Sequence, residues 1–180
     1  MNILTICGSL RKDSFNKSIL RALPALAPSS FQFKDAPSFG SFPIYNADEQ
    51  GSGGFPDAVV SFADAVRSAD AVVIGSPEYN YSVPGGLKNA LDWVSRLKEQ
   101  PFVGKPVALM SASGGALGGA RMQYHMRQIM VFLNARVFNT PEIFVGAAQS
   151  KIDGQGNLTD EATKELLKKQ LAAFEVFINR

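Results

Sequence analysis

Near its start the chain reads Ile3-Leu-Thr-Ile-Cys7, a short and mostly apolar run, followed at once by Gly8-Ser-Leu-Arg-Lys-Asp-Ser-Phe-Asn16. The first segment predicts a strand over about residues 2–7, and a helical pattern begins near Phe15. Hydroxyls, an arginine and an amide therefore lie in the turn between a first strand and a first helix. Because a helix N-terminus has unpaired N–H groups and a partial positive charge, this turn can attract a phosphate.

Four side chains in this turn could contact a phosphate. Ser9, Ser14 and Asn16 could each donate a hydrogen bond, and Arg11 could add a charge-assisted pair of bonds. The same residue types occur in an ordinary strand-to-helix turn in which Ser14 is the N-cap. The turn by itself leaves both interpretations open, and a second polar segment favours the first.

The second segment also follows a predicted strand. Ala71-Val-Val-Ile-Gly75 is short, apolar and β-branched, which is the pattern of a strand buried on both faces. It leads into Ser76-Pro-Glu-Tyr-Asn-Tyr-Ser-Val-Pro-Gly-Gly86. Two prolines bracket this loop and restrict its backbone, so it cannot simply extend the helix that follows. A stiff loop with two tyrosines is better suited to bind a ligand with a flat ring than a ligand that is a flexible chain.

A third predicted strand ends in the same way. Pro106-Val-Ala-Leu-Met110 is followed by Ser111-Ala-Ser-Gly-Gly-Ala-Leu-Gly-Gly119. In an open α/β sheet, ligands bind at the carboxyl ends of the strands, near the point where the strand order reverses. Three strand ends with polar or glycine-rich loops therefore predict one ligand site.

The whole chain alternates strands with helices. Strands are predicted over 2–7, 30–35, 71–76, 106–111 and near 136–145, and helices over 15–27, 56–68, 85–97, 118–134 and from about 159 onward. This alternation predicts an α/β fold with a five-stranded parallel sheet and helices on both faces. We expect a doubly wound sheet of order 2-1-3-4-5. The stretch from Pro37 to Gly54 is predicted to be irregular, and Pro56 to occupy the first position of the next helix.

Apolar spacing predicts which helix residues face the core. Trp93 lies at helical spacing from other apolar residues, so it is predicted to be a core residue and not a ring-stacking group. One face of the last helix is predicted to carry Leu166, Leu167, Leu171, Phe174 and Phe177 or Ile178.

Composition limits the class of protein. With 180 residues, 46% of them hydrophobic, we expect a single domain over 1–180 with a sizeable core. No apolar run reaches the roughly 18 residues of a membrane span, and the start lacks the basic region of a signal peptide, so a cytoplasmic protein is expected. The net charge of +2 argues against nucleic acid as the main partner. Cys7 is the only cysteine, and we interpret it as a packing residue on a strand.

Other motifs fail at the residues that carry their chemistry. Gly114 and Gly119 have the spacing of a P-loop, but Ala120-Arg121 stands where Lys-Ser/Thr is required. No G-x-G-x-x-G sequence follows the first strand, which argues against a Rossmann dinucleotide site. His125 is the only histidine, and a packing or interface role is favoured over catalysis. The carboxylates show no metal-ligand spacing, so no metal site is assigned.

The two polar loops resemble a known family. Gly8–Asn16 and the segment from Ser76 to Trp93 are similar to the NADPH-dependent FMN reductase family, and within it to the bacterial chromate and quinone reductase branch. The resemblance covers essentially the whole chain, including Gly118-Gly-Ala-Arg-Met-Gln-Tyr-His-Met-Arg127. It implies a flavodoxin-like fold that binds FMN non-covalently.

The resemblance also implies roles for individual residues. The FMN phosphate would be enclosed by Ser9, Leu10, Arg11, Ser14, Phe15 and Asn16. The isoalloxazine would be lined by Pro77, Glu78, Tyr79, Asn80 and Tyr81, largely through backbone groups, with Ser113 and Gly114 on its pyrimidine side. Asp13 is expected to face water or to cap the following helix, because a carboxylate would repel the phosphate. No catalytic side chain is assigned.

The implied reaction is hydride transfer from NADPH or NADH to FMN, then electron transfer to a quinone, an azo compound, free flavin or chromate. Nicotinamide and acceptor would use one exposed flavin face in turn, which predicts ping-pong kinetics. Two alternatives are an electron carrier of the flavodoxin type and a binding module that has lost its flavin. Electron carriers of the flavodoxin type are typically acidic, whereas this chain has a pI of about 8.7. The first two loops are intact, which argues against a module that has lost its flavin.

The relatives assemble as tetramers, so a homodimer or homotetramer is expected. The interface candidates are Arg121 and Tyr124 in the 118–134 helix, and Glu142. Arg121 is expected to meet Glu142 or Tyr81 across a subunit boundary.

Overall fold

The computed structural model describes all residues 1–180, and its centre is one parallel sheet. Its strands are β1 (Asn2–Cys7), β2 (Gln32–Asp35), β3 (Ala71–Gly75), β4 (Pro106–Ala112), β5 (Arg136–Val137) and β6 (Ile143–Val145). The order is β2-β1-β3-β4-β5, which confirms the predicted order, and β6 also pairs with β4. In the central register Ile3 pairs with Ala71 and Val72 with Val107.

Six helices surround the sheet. They are α1 (Phe15–Ala22), α2 (Ala47–Gly53), α3 (Asp57–Ser68), α4 (Gly85–Val94), α5 (Ala120–Phe132) and α6 (Glu161–Ile178). Alternate residues of the buried strands enter two separate cores. Leu4 and Val72 pack with α3, α4 and α5 on one face, whereas Ile3 and Val73 pack with α1 and α6 on the other. The helices thus cover both faces, as the doubly wound prediction requires.

Two helix predictions were wrong. The segment from Pro37 to Gly54 is not entirely irregular, because α2 lies inside it with Asn46 as N-cap, its Oδ1 accepting from Asp48 N at 3.0 Å. None of its residues is buried, so no apolar periodicity marked it. The first helix ends at Ala22 and not near 27, because Pro24 follows in a 3-10 turn over 23–25.

The fifth strand was predicted as one piece near 136–145, but the structure divides it into β5 and β6. Pro141, after a cis peptide bond, lies between the two pieces and has no N–H to donate to β4. Two buried amides join this region to β4 instead. Gln170 Nε2 donates to Pro141 O at 2.8 Å and to Leu109 O at 3.3 Å, and Gln123 Nε2 donates to Ile143 O at 2.7 Å and to Ser111 Oγ at 2.8 Å.

The core predictions hold with one exception. Trp93 is only 1% exposed, and its Nε1 donates to Pro43 O at 2.8 Å, so it is a core residue. Leu167, Leu171 and Phe174 are buried under α6, but Leu166 is 39% exposed and faces away from the sheet.

The predicted position of Pro56 was wrong by one residue, because Pro56 is the N-cap of α3 and not its first helical residue. No helix is long and apolar enough to span a membrane.

Candidate functional site

Three loops meet at the carboxyl edge of the sheet. We call them the β1 loop (residues 8–14), the β3 loop (76–84) and the β4 loop (113–119). The first two meet at Gly8, which lies against Ser76, and the Gly8 N–H donates to O of Gly75, the last residue of β3, at 2.8 Å. A Cβ at Gly8 would lie 2.6 Å from the Cβ of Ser76, so only glycine permits this close approach.

The β1 loop presents several hydrogen-bond donors near the start of α1. Ser9 and Ser14 are buried at 8% and 5% exposure. Ser9 Oγ accepts from Arg11 N at 3.2 Å, whereas Ser14 occupies the N-cap position without a side-chain capping bond. The N–H groups in the first turn of α1 therefore lack an intrahelical or capping partner. Ser14 is therefore at the N-cap position, as in an ordinary strand-to-helix turn, but its hydroxyl does not accept the hydrogen bond from a first-turn N–H that an N-cap normally makes.

Charge around the β1 loop is mostly positive. The exposed guanidinium of Arg11 donates to Asp13 O, the backbone carbonyl, at 3.2 Å. The Asp13 side chain is exposed and makes no capping bond to α1. Of the two orientations expected for Asp13, the structure therefore has the one that faces water. Leu10 is 59% exposed beside Arg11, and Phe15 is half-buried at the first position of α1.

Asn16 has a different role from the one expected. Its Nδ2 donates to Ala112 O at 2.9 Å and its Oδ1 accepts from Ala112 N at 2.8 Å, with the residue only 2% exposed. The side chain therefore fixes the start of α1 to the end of β4. Any contact of Asn16 with a phosphate is left to its backbone N–H.

The β3 loop is a tight turn held by its own backbone. Tyr79 N donates to Ser82 O and Ser82 N donates to Tyr79 O, both at 3.0 Å. The two residues between them, Asn80 and Tyr81, have φ of 48° and 67°. Two left-handed residues in a two-residue turn are typical of a type I′ turn, and a tyrosine there is strained. The turn exposes Tyr79 at 46% and Tyr81 at 65%.

Glu78 and Arg121 hold this turn against α5. The Glu78 side chain is only 7% exposed, and its Oε1 accepts from Arg121 Nε at 2.6 Å. Its Oε2 accepts from Met122 N at 3.3 Å, at the positive end of α5. The Arg121 guanidinium lies 3.5 Å from the centroid of the Tyr81 ring, and its bond to Glu78 raises the pKa of Arg121. The Glu78 carboxylate thus positions the loop, and only its backbone can face a ring.

The expected pairing of Arg121 across a subunit boundary stays a prediction. Within the chain, the Arg121 guanidinium already lies over the Tyr81 ring. Glu142 does not contact Arg121, because its partners are Arg127 at 3.4 Å and Tyr124 Oη at 3.5 Å. Sequence reasoning missed the pairing of Glu78 with Arg121, although a lone carboxylate in a loop after a buried strand signals a cationic partner.

His125 connects α5 to the same loop. Its Nδ1 lies 2.9 Å from Ser82 Oγ at the base of the tyrosine turn, and the residue is exposed. Its neighbour along the helix, Tyr124, is 52% exposed and tilts against Phe144, with ring centroids 6.4 Å apart. One helix therefore carries both the supports of the β3 loop and an exposed outer face.

The β4 loop closes the third side. Ser113 Oγ accepts from Gly115 N at 3.1 Å, and Gly114 is exposed. A Cβ at Gly114 would meet only Gln149 Oε1, at 3.3 Å, so close packing within the protein does not require glycine there. The constrained positions are Gly118 and Gly119, with φ of 58° and 87°. A Cβ would lie 2.7 Å from the backbone carbon of Phe144 at Gly118, and 2.7 Å from Ser111 Cβ at Gly119. Sequence reasoning emphasised Gly114 and missed both.

Cys7 lies directly before the β1 loop. Its thiol donates to Ser9 O at 3.5 Å, and burial is the main cause that raises the pKa of this thiol. A raised pKa keeps the thiol protonated at neutral pH, and the thiolate is the nucleophilic form. This agrees with a packing role for Cys7.

The donors of the site fit an FMN phosphate. Ser9, Ser14 and the first-turn N–H groups of α1 can donate, Arg11 adds a positive charge, and the carboxylate of Asp13 stays exposed. In the β3 loop the N–H groups of Glu78 and Asn80 form no hydrogen bond within the chain and can face the polar edge of a ring. Both halves of the cofactor thus have suitable partners.

Comparisons with known proteins agree with this geometry. Residues 1–150 match the profile of the family described as NADPH-dependent FMN reductase. A quinone reductase of Escherichia coli (strain K12) is 52% identical over 181 positions, which cover 100% of this chain and 96% of that one. An NAD(P)H-dependent FMN reductase of Pseudomonas aeruginosa is 44% identical and covers 100% of this chain and 96% of its own.

Solved structures show the same fold. The flavoenzyme NAD(P)H:(acceptor) oxidoreductase FerB from Paracoccus denitrificans superposes with a TM-score of 0.87 at 32% identity, covering 99% of this chain and 97% of that one. A flavodoxin from Pseudomonas aeruginosa superposes with a TM-score of 0.58 at 14% identity over 100% of both chains, which supports the fold alone. The chain therefore belongs to the NADPH-dependent FMN reductase family, as an oxidoreductase of flavodoxin-like fold with FMN as cofactor and NAD(P)H as reductant.

Proposed function

We propose that this chain, acting as a single domain over residues 1–180, is an NAD(P)H-dependent quinone reductase that works through bound FMN. The observation that carries the proposal is the contact at Gly8, which joins a donor-rich loop to an exposed tyrosine turn. The first suits a phosphate and the second suits a flat ring. The similarity to a quinone reductase of Escherichia coli and to a 2-hydroxy-1,4-benzoquinone reductase of a Burkholderia species, 39% identical, supports quinones as acceptors.

The FMN contacts divide among the three loops. The phosphate is held by the hydroxyls of Ser9 and Ser14, the backbone at Leu10, Phe15 and Asn16, and the charge of Arg11. The ring is lined by Pro77, Glu78, Tyr79, Asn80 and Tyr81, with Ser113 and Gly114 on its pyrimidine side. Glu78 acts here through its N–H, because its carboxylate is bonded to Arg121.

Bound FMN supplies the hydride acceptor and the electron donor for the reaction. The chain supplies binding and orientation. The N–H groups of Glu78 and Asn80 fix the polar edge of the ring, and the contact of Arg121 with the Tyr81 ring holds the turn in its strained conformation. No side chain is needed as a nucleophile, so no catalytic residue is proposed.

We further propose that nicotinamide and acceptor use one open side of the ring in turn. Azo compounds, free flavin and chromate are further acceptors, since an open site selects weakly among small oxidants. With both substrates varied, initial-rate plots should give parallel lines for NADPH and a benzoquinone. Intersecting lines would contradict the shared site. A flavodoxin-type carrier would not sustain turnover with NADPH and a quinone alone.

We also propose that the enzyme is a homodimer that pairs into a homotetramer through the outer face of α5. Tyr124 is 52% exposed, and Val131 and Phe132 at the end of the helix are 78% and 74% exposed. Glu142 lies next to Tyr124 and extends this face. Light scattering should give about four times the 19.4 kDa chain mass, and Tyr124→Ala should lower it. A monomer that is fully active at micromolar concentration would contradict the proposal.

A further inference from the structure

Strand β4 extends further than its neighbour β3. The last paired residues of the two strands are Gly75 and Met110, and just beyond them Ser76 N donates to Met110 O at 3.1 Å. β4 continues to Ala112, whereas the chain leaves β3 after Gly75 and enters the β3 loop. Ala112 is only 1% exposed, so its backbone N–H and C=O need partners within the protein.

The backbone groups of Ala112 point toward the side of β4 on which β3 lies. Backbone groups alternate in direction along a strand, and Met110 O, two residues earlier, is bonded to the β3 side. Ser113 N, one residue later, donates at 3.0 Å to the opposite neighbour, β6. If the ladder between β3 and β4 continued by two residues, Glu78 N would donate to Ala112 O and Ala112 N would donate to Ser76 O.

The side chain of Asn16 occupies both of these places in the ladder. Its Nδ2 donates to Ala112 O at 2.9 Å, in place of Glu78 N, and its Oδ1 accepts from Ala112 N at 2.8 Å, in place of Ser76 O. A side-chain amide has the same kinds of donor and acceptor as a backbone peptide group, so one residue of α1 completes the sheet where β3 ends. The N–H of Glu78 is therefore left without a partner in the chain.

We propose that Asn16 is a positioning residue for the flavin ring, although it lies in the turn that is assigned to the phosphate. By taking the place of β3 beside Ala112, its side chain lets the β3 loop leave the sheet and keeps the Glu78 N–H available for the polar edge of the ring. The inference rests on the proposed function, because the ring contact of Glu78 belongs to that proposal.

Titration of the apoprotein with FMN and with riboflavin tests this role. Asn16→Leu keeps the backbone N–H and has a side chain of similar size, but it removes both bonds to Ala112. Because the buried Ala112 carbonyl then takes the Glu78 N–H, both flavins should bind about five- to tenfold more weakly. A loss limited to FMN would show that the Asn16 side chain acts on the phosphate, and it would overturn the inference. Unchanged affinity for both flavins would also overturn it.

The matched control is Gln170→Leu. Gln170 is another buried amide, 2% exposed, and its Nε2 donates to Leu109 O of β4 and to Pro141 O, outside the three loops. Both variants should be less stable in urea, whereas Gln170→Leu should bind both flavins as the wild type does. An equal loss of flavin affinity in the two variants would mean that Asn16 contributes only to stability, which would overturn the inference. If Asn16→Leu does not fold, Asn16→Ser should give the same pattern, because its hydroxyl cannot make both bonds.

Hydrogen exchange of the Glu78 amide, followed by NMR of the apoprotein, gives a readout that does not depend on flavin. The unbonded N–H of the wild type should exchange fast, and a new bond to Ala112 O in Asn16→Leu should slow its exchange by about tenfold or more. Equal exchange in the two proteins would overturn the inference. Turnover of the wild type with NADPH and a benzoquinone is measured separately. Its failure would contradict the proposed function, whereas the exchange result would still decide the role of Asn16.

Discussion

The β1 loop and the β3 loop lie against each other at Gly8, yet they are built in opposite ways. The β1 loop leaves its donors free, because Ser14 caps nothing and the first turn of α1 has no partner for its N–H groups. The β3 loop is closed by its own bonds, between Tyr79 and Ser82 and from Glu78 to Arg121. The β1 loop therefore has free donors for a charged ligand, whereas the β3 loop has a fixed backbone conformation.

This difference predicts two kinds of loss. Unpaired donors and a cation contribute directly to the binding of a phosphate, so their removal should affect only ligands that carry one. A turn held in a strained conformation contributes through its geometry, so loosening it should affect every ligand with the same ring. FMN and riboflavin share the ring and differ in the phosphate, so the pair can separate the two effects.

The largest effect is expected for Arg11→Ala. FMN should bind more weakly by about 1.5–3 kcal/mol, the scale of a charged hydrogen bond, whereas riboflavin should bind as before. Quenching of flavin fluorescence during titration of the apoprotein measures both affinities, and wild-type protein should bind FMN one to one. The matched control is Lys98→Ala. Unchanged FMN affinity in Arg11→Ala would remove Arg11 from the site.

A smaller effect, equal for both flavins, is expected for Arg121→Met. The variant removes the guanidinium over Tyr81 and the partner of the buried Glu78 carboxylate, so the turn should loosen. We expect FMN and riboflavin each to bind about three- to tenfold more weakly in the same titrations. The control is Arg96→Met, because Arg96 also lies over a tyrosine, Tyr45, at 5.3 Å but away from the loops. A loss limited to FMN would mean that Arg121 acts through charge on the phosphate.

The smallest effect concerns Cys7, between the first strand and the β1 loop. Burial raises the pKa of its thiol in the folded protein. The protonated thiol is thus favoured by folding, and its contribution to stability is full below the unfolded-state pKa of about 8.5 and is lost as pH rises toward the folded-state pKa. Urea unfolding at pH 7 and 10 should show a larger drop for wild type than for Cys7→Ala. Equal drops would show that the thiol does not titrate differently on folding.

Part of the site could be predicted because it follows strands that the sequence marks clearly. Ile3–Cys7 and Ala71–Gly75 are apolar runs with polar loops after them, and the carboxyl ends of parallel strands share one edge. The phosphate-binding role of Asn16 was predicted from its residue type, but its amide bonds to Ala112. That bond joins residues 96 positions apart, and no local pattern reports such a contact.

The same reason explains a missed contact. The pairing of Arg121 with Glu78 was not predicted, because the two residues are 43 positions apart in the sequence. Helix α2 was missed because it buries nothing, and hydrophobic periodicity is the signal by which helices are predicted. Leu166 was predicted to lie in the core because it is apolar and adjoins the buried face of its helix. The prediction was wrong because a residue at the edge of that face can remain exposed.

The sequence by itself determined the α/β class, the two loops of the site and the family, because short-range pattern and motif carry these. The strand order 2-1-3-4-5 was expected together with the family resemblance, and the tertiary structure confirmed it. The tertiary structure alone decided which side chains remain free for ligands. Asn16 and Glu78 are bonded within the chain, whereas Ser14, Lys12 and Lys17 are not. The physical reason is that a polar group buried without a partner is costly, so long-range packing assigns partners first, and only the remaining groups can bind a ligand.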